Sequence, residues 1–464
     1  MNDIEKANTT MDTTNYLVTG SSGAPAQPTS PTIPPTTDGG YYVPGFYVED
    51  HTIDVPLDWN DETAGTITVF YREIVDPDRR DDDLPLLLHL QGGPGGKGQR
   101  PMPGDAWLGE AIRHYRVIMP DQRGTGRSTP VDGGIIAKFD DARQAADYLS
   151  HFLADSIVRD FEYLRRKRFG GRRWTTIGQS YGGFLTLTYL SLFPEGLGAC
   201  MTMGGIPGVP PDADEVYRHT YPRAALKSRM YYERYPQDER IVADVADRLA
   251  SHDVRLPNGD PFSVARLQSV GSVFGMGTGF DQIHWLFDEA FTPDGRLSDT
   301  FLYQVLGRTS NAGSPLYWTL QEFIYGNEHS GPMNWAAQRE LKNHPEFGED
   351  RRPLMFFGEM TFPWMFDEIS CLRPFKPAVD LLMQRDEWPT IYRPDVLARN
   401  EVPVQSLVYF DDLYVDSRIQ LRTLSGIGNA RAWVTNEYQH DGITHAGVFT
   451  RLHELIAQRG GAIR

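Results

Sequence analysis

Cysteine is nearly absent: the 464-residue chain carries two, Cys200 and Cys371. Two thiols cannot build a disulfide framework or a CxxC metal motif, and they suit a reducing compartment. Basic residues are scarce relative to acids. The 45 Lys and Arg against 62 Asp and Glu leave a formal charge of −17, and no dense Lys/Arg run interrupts it. Such a chain repels phosphate backbones and anionic bilayers, so neither nucleic acid nor membrane is an expected partner. No apolar run approaches the ~20 residues that span a bilayer. The opening MNDIEK lacks the basic and apolar stretches of a signal peptide, and the expectation is a soluble, cytoplasmic protein. What is present is ample apolar material, 40% hydrophobic and 12% aromatic, which supports a packed core over global disorder. The length exceeds the roughly 250–300 residues at which single cores stop growing. One large domain with an insertion, or two domains, is therefore expected.

Residues 1–40 are rich in Thr, Ser, Pro and Gly and read as a flexible segment that buries little apolar surface. Beyond them FYVEDHTIDV and GTITVFYREIV alternate as strands do. LPLLLHL (84–90) is a short continuous apolar run of the kind a buried parallel strand shows. YRVIMPDQRGTG (115–126) repeats that format. Residues 143–168 have helical spacing, with Ala146, Leu149, Leu153, Ile157, Phe161 and Leu164 on one face. WTTIGQSYGG (174–183) reads as strand then turn, FLTLTYLSLF as the next helix and ACMTMGG (199–205) as another strand. Strands alternating with helices predict a mostly parallel α/β sheet. Residues 207–395 break the pattern with aromatic-rich, helix-like pieces. The format returns at VQSLVYFDD (404–412) and ARAWVTNEYQHDG (430–442), before a closing helix near 444–458. The simplest organisation is a sheet domain in two parts, 41–206 and 396–464, interrupted by a mostly helical insertion at 207–395.

Gly178-Gln179-Ser180-Tyr181-Gly182 fits G-x-S-x-G, with an apolar strand before it and a helix after. That context is a nucleophile elbow, a sharp turn that lifts a serine hydroxyl above the sheet edge. A serine nucleophile needs a base and a group to orient the base. In the α/β-hydrolase chain order both follow the serine. The acid belongs just after a late strand, at Asp411 or Asp412, with Asp416 a poor third. The histidine belongs after the last strand, at His440, with His445 deeper toward the closing helix. Backbone N–H groups for a developing oxyanion are expected from Tyr181 and from the glycine loop 91–96. GGPGGKG is not a P-loop, no GxGxxG is completed and no HExxH occurs. No metal or cofactor is expected.

GGPGG (92–96), DQRGTGRS (121–128), GQSYGGF (178–184) and NEYQHDG (436–442) together resemble the proline iminopeptidase (prolyl aminopeptidase) family, serine peptidases of the α/β-hydrolase fold. The likeness runs from about residue 45 to the end. Its most specific part is DQRGTGRS following GGPGG. One departure is Gln91, where many members have His. The resemblance implies an α/β-hydrolase core with a large, mostly helical cap inserted before the late strand that carries the catalytic Asp. It implies release of N-terminal proline from a peptide, with Ser180 attacking, His440 as base and Asp412 orienting it, because DDLYVD resembles the family's stretch at that point. Gly93 and Tyr181 would donate to the oxyanion. The family binds the substrate's free amine with cap glutamates, which points to Glu322 in SPLYWTLQEFIYG and Glu359 in FGEMTFPWMF. Phe323, Tyr325, Phe362 and Trp364 become candidates for a proline-ring wall. The same three catalytic residues also suit an esterase, an amidase or a tripeptidyl-type peptidase. A binding protein on an inactive scaffold is a third reading.

Overall fold

In the computed structural model the described residues are 39–463. The expected flexible segment, residues 1–40, lies outside them except for Gly39 and Gly40. Nine strands form one sheet: β1 (Tyr41–Val43), β2 (Phe46–Asp58), β3 (Asp61–Val75), β4 (Leu86–Leu90), β5 (Arg116–Pro120), β6 (Trp174–Gln179), β7 (Leu197–Met203), β8 (Val404–Tyr409) and β9 (Ala430–Thr435). Their spatial order is β1-β2-β3-β5-β4-β6-β7-β8-β9. The first three strands are antiparallel to their neighbours, and β5 onward run parallel.

The sequence patterns explain this division. β4, β7 and β8 are buried along their whole length, as strands covered on both faces must be. Period two sorts their side chains. Leu86, Leu88 and Leu90 join one core with Leu149, Ile157, Leu164 and Leu185. Leu87 joins the other with Leu108, Leu452 and Ile456. β9 is the edge strand and alternates between half-buried and exposed residues.

Residues 143–168 depart from the single helix that their spacing predicts. They form two helices, Ala142–Ser150 and Ala154–Arg168, although all six expected core positions are buried. The break falls where Arg123 Nη1 takes the carbonyl of His151 at 2.8 Å. Arg123 is fully buried and meets Asp160 at 2.7 and 2.5 Å. It also donates to the carbonyls of Leu57 and Pro56, while Trp59 Nε1 donates to Asp160. One guanidinium therefore ties the loop after β5 to the end of β2 and to the helix break.

Between β7 and β8 the chain is helical, and among the described residues no strand lies there. The longest helix of this stretch is Ala213–Arg234. Among the described residues no helix is long and apolar enough to cross a membrane.

The Arg123–Asp160 pair yields a prediction. Removing one partner strands a buried charge, which costs about 3–5 kcal/mol. Asp160→Ala is expected to lose that much in urea unfolding. A variant as stable as the parent would contradict the assignment.

Candidate active site

The site begins where β6 ends. Ser180 has φ 57° and ψ −129°, a strained conformation for a residue with a side chain. The turn closes only because its neighbours have no side chain. A Cβ on Gly178 would come 2.4 Å from the carbonyl oxygen of Gly182, and one on Gly182 would come 2.0 Å from that of Leu90. Ser180 N–H donates to Met203 O at 3.0 Å, which fastens the elbow to β7. Tyr181 opens the helix Tyr181–Leu192, so its N–H is among those at a helix start with no intrahelical acceptor.

The other two strand ends deliver an acid and a base. Asp412 follows β8, is 2% exposed and accepts from the N–H groups of Tyr414 and Val415 at 2.9 and 3.2 Å. His440 follows β9, and its Nδ1 lies 3.0 and 2.9 Å from the two Asp412 oxygens. A carboxylate only accepts, so Nδ1 carries the proton and Nε2 keeps its lone pair. Nε2 is buried and has no partner among the described residues. Burial opposes charge on this imidazole most strongly, but Asp412, Glu359 and Asp441 together outweigh it and the pKa lies above the ordinary value. Such an arrangement can accept a proton at Nε2 and stabilise the cation formed.

The rival residues fall elsewhere. Asp411 pairs with Arg223 at 3.2 Å, and Asp416 caps the helix Ser417–Ser425. His445 is exposed at the start of the closing helix.

Gln179, beside Ser180, joins these parts. Its Nε2 donates to His440 O at 2.7 Å, and its Oε1 accepts from Tyr409 Oη and Ile443 N at 3.1 and 3.2 Å. The helical stretch adds further hold: Gly275 O accepts from His440 N–H at 2.8 Å, and Tyr414 Oη donates to Ser272 O.

Ser180, His440, Gly92, Gly93 and Glu359 line one cavity of about 560 Å³. Gly93 has φ 125°, which the loop over the elbow requires of glycine. Glu359 accepts from Tyr317 Oη, and removal from bulk water raises its pKa. Glu322 is placed differently. It is fully buried and absent from the cavity wall. Its two oxygens accept from Ala336 and Ala337 N–H at 2.9 and 3.0 Å. Burial pushes it up to about 7. The residue expected as an amine ligand thus sits at the start of the helix Ala336–Glu340, each of its oxygens taking one backbone donor, away from the cavity.

The expected aromatic wall also moves. Phe323, Tyr325 and Phe362 are core residues, and Trp364 stacks on Phe362 at 6.2 Å. The apolar lining comes instead from Val273, Met276, Tyr317 and Tyr414. Tyr317 lies within SPLYWTLQEFIYG and Tyr414 within DDLYVD, stretches singled out for their acids, yet nothing in their spacing marks the tyrosines. Away from the cavity, Glu49, His51 and Glu73 form the one grouping with metal-ligand spacing among the described residues, and Arg116 also reaches Glu73 at 3.5 Å.

Comparison with known proteins now adds to this geometry. A family profile described as the alpha/beta hydrolase fold matches residues 85–246. A proline iminopeptidase of Aeromonas sobria is 42% identical over 405 residues, covering 87% of this chain and 94% of the relative. The chain belongs to the proline iminopeptidase family. A family member from Aspergillus aculeatus is 32% identical over 409 residues, covering 84% of this chain and 89% of its own. The family likeness thus spans both parts of the sheet and the helical stretch between them.

The His440–Asp412 geometry predicts the pH response of Ser180. Labelling of Ser180 by a serine-reactive phosphonate is expected to rise with pH through a limb above the ordinary imidazole value of about 6.5. Asp412→Asn is expected to slow labelling by about 10⁴-fold and to move that limb to lower pH. A limb unmoved by the substitution would show that Asp412 does not set the imidazole's protonation.

Proposed function

We propose that this chain is a serine aminopeptidase that releases proline from the N-terminus of a peptide. Ser180 Oγ attacks the carbonyl carbon of the terminal proline while His440 Nε2 takes the hydroxyl proton. Asp412 keeps the opposite ring nitrogen protonated and offsets the imidazolium charge. The N–H groups of Gly93 and Tyr181 receive the oxyanion. As the C–N bond breaks, His440 returns the proton to the leaving amine. Water, activated by the same imidazole, then cleaves the prolyl ester and frees Ser180.

The observation that carries the substrate end is a carboxylate, Glu359, in the same cavity as Ser180 and His440. A protonated proline nitrogen removed from water needs an anionic partner. Tyr317 orients this one. Val273, Met276, Tyr317 and Tyr414 supply apolar surface for the ring. Residues 207–395 serve as the cap that brings Glu359 over the sheet. The free thiols Cys200 and Cys371 favour a cytoplasmic location.

Activity on a prolyl arylamide is expected to vanish when the substrate amine is acetylated. Ser180→Ala is expected to lower turnover by about 10⁶-fold with an unchanged thermal midpoint. Glu359→Gln is expected to lower kcat/KM for the free amine by roughly 10- to 100-fold, the worth of a hydrogen bond to a charge. Equal rates on free and acetylated substrates would instead favour an esterase or amidase.

A further inference from the structure

The cavity around Ser180 has a positive end as well as a negative one. Lys97 is the only lysine or arginine in its wall. It is exposed and makes no ion pair or hydrogen bond with a described residue. Its root is nonetheless fixed. A Cβ on neighbouring Gly98 would come 2.6 Å from Pro120 O, and one on Gly126 would come 3.0 Å from the Cβ of Lys97. The loop is thus pressed onto the end of β5 and onto the DQRGTGRS turn. Asp121, which lies against Gly98 and Gly126 in the same loops, is already matched by Arg100 at 2.5 and 2.9 Å. Lys97 therefore brings an unspent ammonium to the cavity on a flexible stem with a fixed base.

Gln99, two residues on, adds a donor. Trp107 Nε1 can only donate and lies 3.0 Å from Gln99 Oε1. That contact consumes the amide's carbonyl and leaves its NH2, in a side chain that lines the cavity. Both groups belong to the loop that starts beside the nucleophile, where a Cβ on Gly92 would sit 3.4 Å from Ser180 Cβ. Lys97 is not the counter-ion of Glu359, whose strongest charged neighbours are His440 and Asp412.

We propose that Lys97 and Gln99 form a subsite for the C-terminal carboxylate of a short substrate, which makes prolyl di- and tripeptides with a free carboxylate the preferred class. The proposal rests on the aminopeptidase reading and extends it to the leaving portion of the peptide. A short zwitterionic peptide presents an ammonium for Glu359 and a carboxylate for Lys97. A cavity of about 560 Å³ is the size of a small-molecule site, suited to a few residues. In a chain of net charge −17, a local cation is what admits an anionic end.

The test compares prolyl-alanine and prolyl-alanyl-alanine as free acids with their C-terminal amides. The acid-to-amide ratio of kcat/KM is read within each protein, so a general loss of activity cancels. The parent is expected to favour at least one acid by roughly 10-fold or more, the worth of a charge-assisted hydrogen bond. The preference is expected to shrink as salt is raised. Lys97→Met is expected to bring the ratio near one, and Lys97→Glu to invert it. A parent ratio near one for both lengths, or a ratio kept in Lys97→Met, overturns the subsite. Absence of turnover on every free-amine prolyl compound, arylamide included, would overturn the aminopeptidase reading instead.

Discussion

Backbone meets backbone where β4, β6 and β7 end, and the rest of the site depends on that contact. Gly182 packs against the carbonyl of Leu90, Gly178 against Gly182, and Gly183 against Gly205, each so closely that a Cβ would fall within 2.4 Å of the facing oxygen. The crowding leaves Ser180 no ordinary conformation and forces its positive φ. The strain costs on the order of 1–3 kcal/mol. It is sustained by the surrounding sheet, whose central strands are buried on both faces.

Around this fixed point the cavity assigns its carboxylates different work by giving them different neighbours. Asp412 has two backbone donors and an imidazole. Glu322 has two backbone donors and no access to the cavity. Glu359 has a phenol and open space. The chemical group is the same in all three. What separates them is how many lone pairs the fold has already used.

Much of this was legible in the sequence, for reasons that can be stated. The elbow is a local motif whose glycines answer a local clash. The placement of His440, and of the acid at Asp411 or Asp412, follows from chain order and strand ends, because strands of a parallel sheet deliver their loops to one edge; the choice of Asp412 came from the family resemblance of DDLYVD. The helix break at His151 was not legible, since it answers to Arg123, a residue remote in sequence. The contrast between Glu322 and Glu359 was equally hidden. Both glutamates sit in aromatic-rich stretches, and only tertiary structure brings the amides of Ala336 and Ala337 to one of them. Tyr317 escaped notice because an aromatic in a helical region reads as core, and Tyr414 because the acids beside it in the loop after β8 drew the attention.

Gln179 has a wider consequence. Its amide clasps the carbonyl of His440 across 261 positions of sequence. The spacing of Ser180 and His440 is therefore held by local contacts, from Gln179, Asp412 and Gly275, and by the sheet, rather than by the length of chain that intervenes. The helical stretch between β7 and β8 can lengthen or shorten away from the site, provided its ends return to the same two strands and Gly275 keeps its hold on His440. A fold wired in this way separates the reaction from the choice of what is brought to it, so one catalytic edge can serve many different lids.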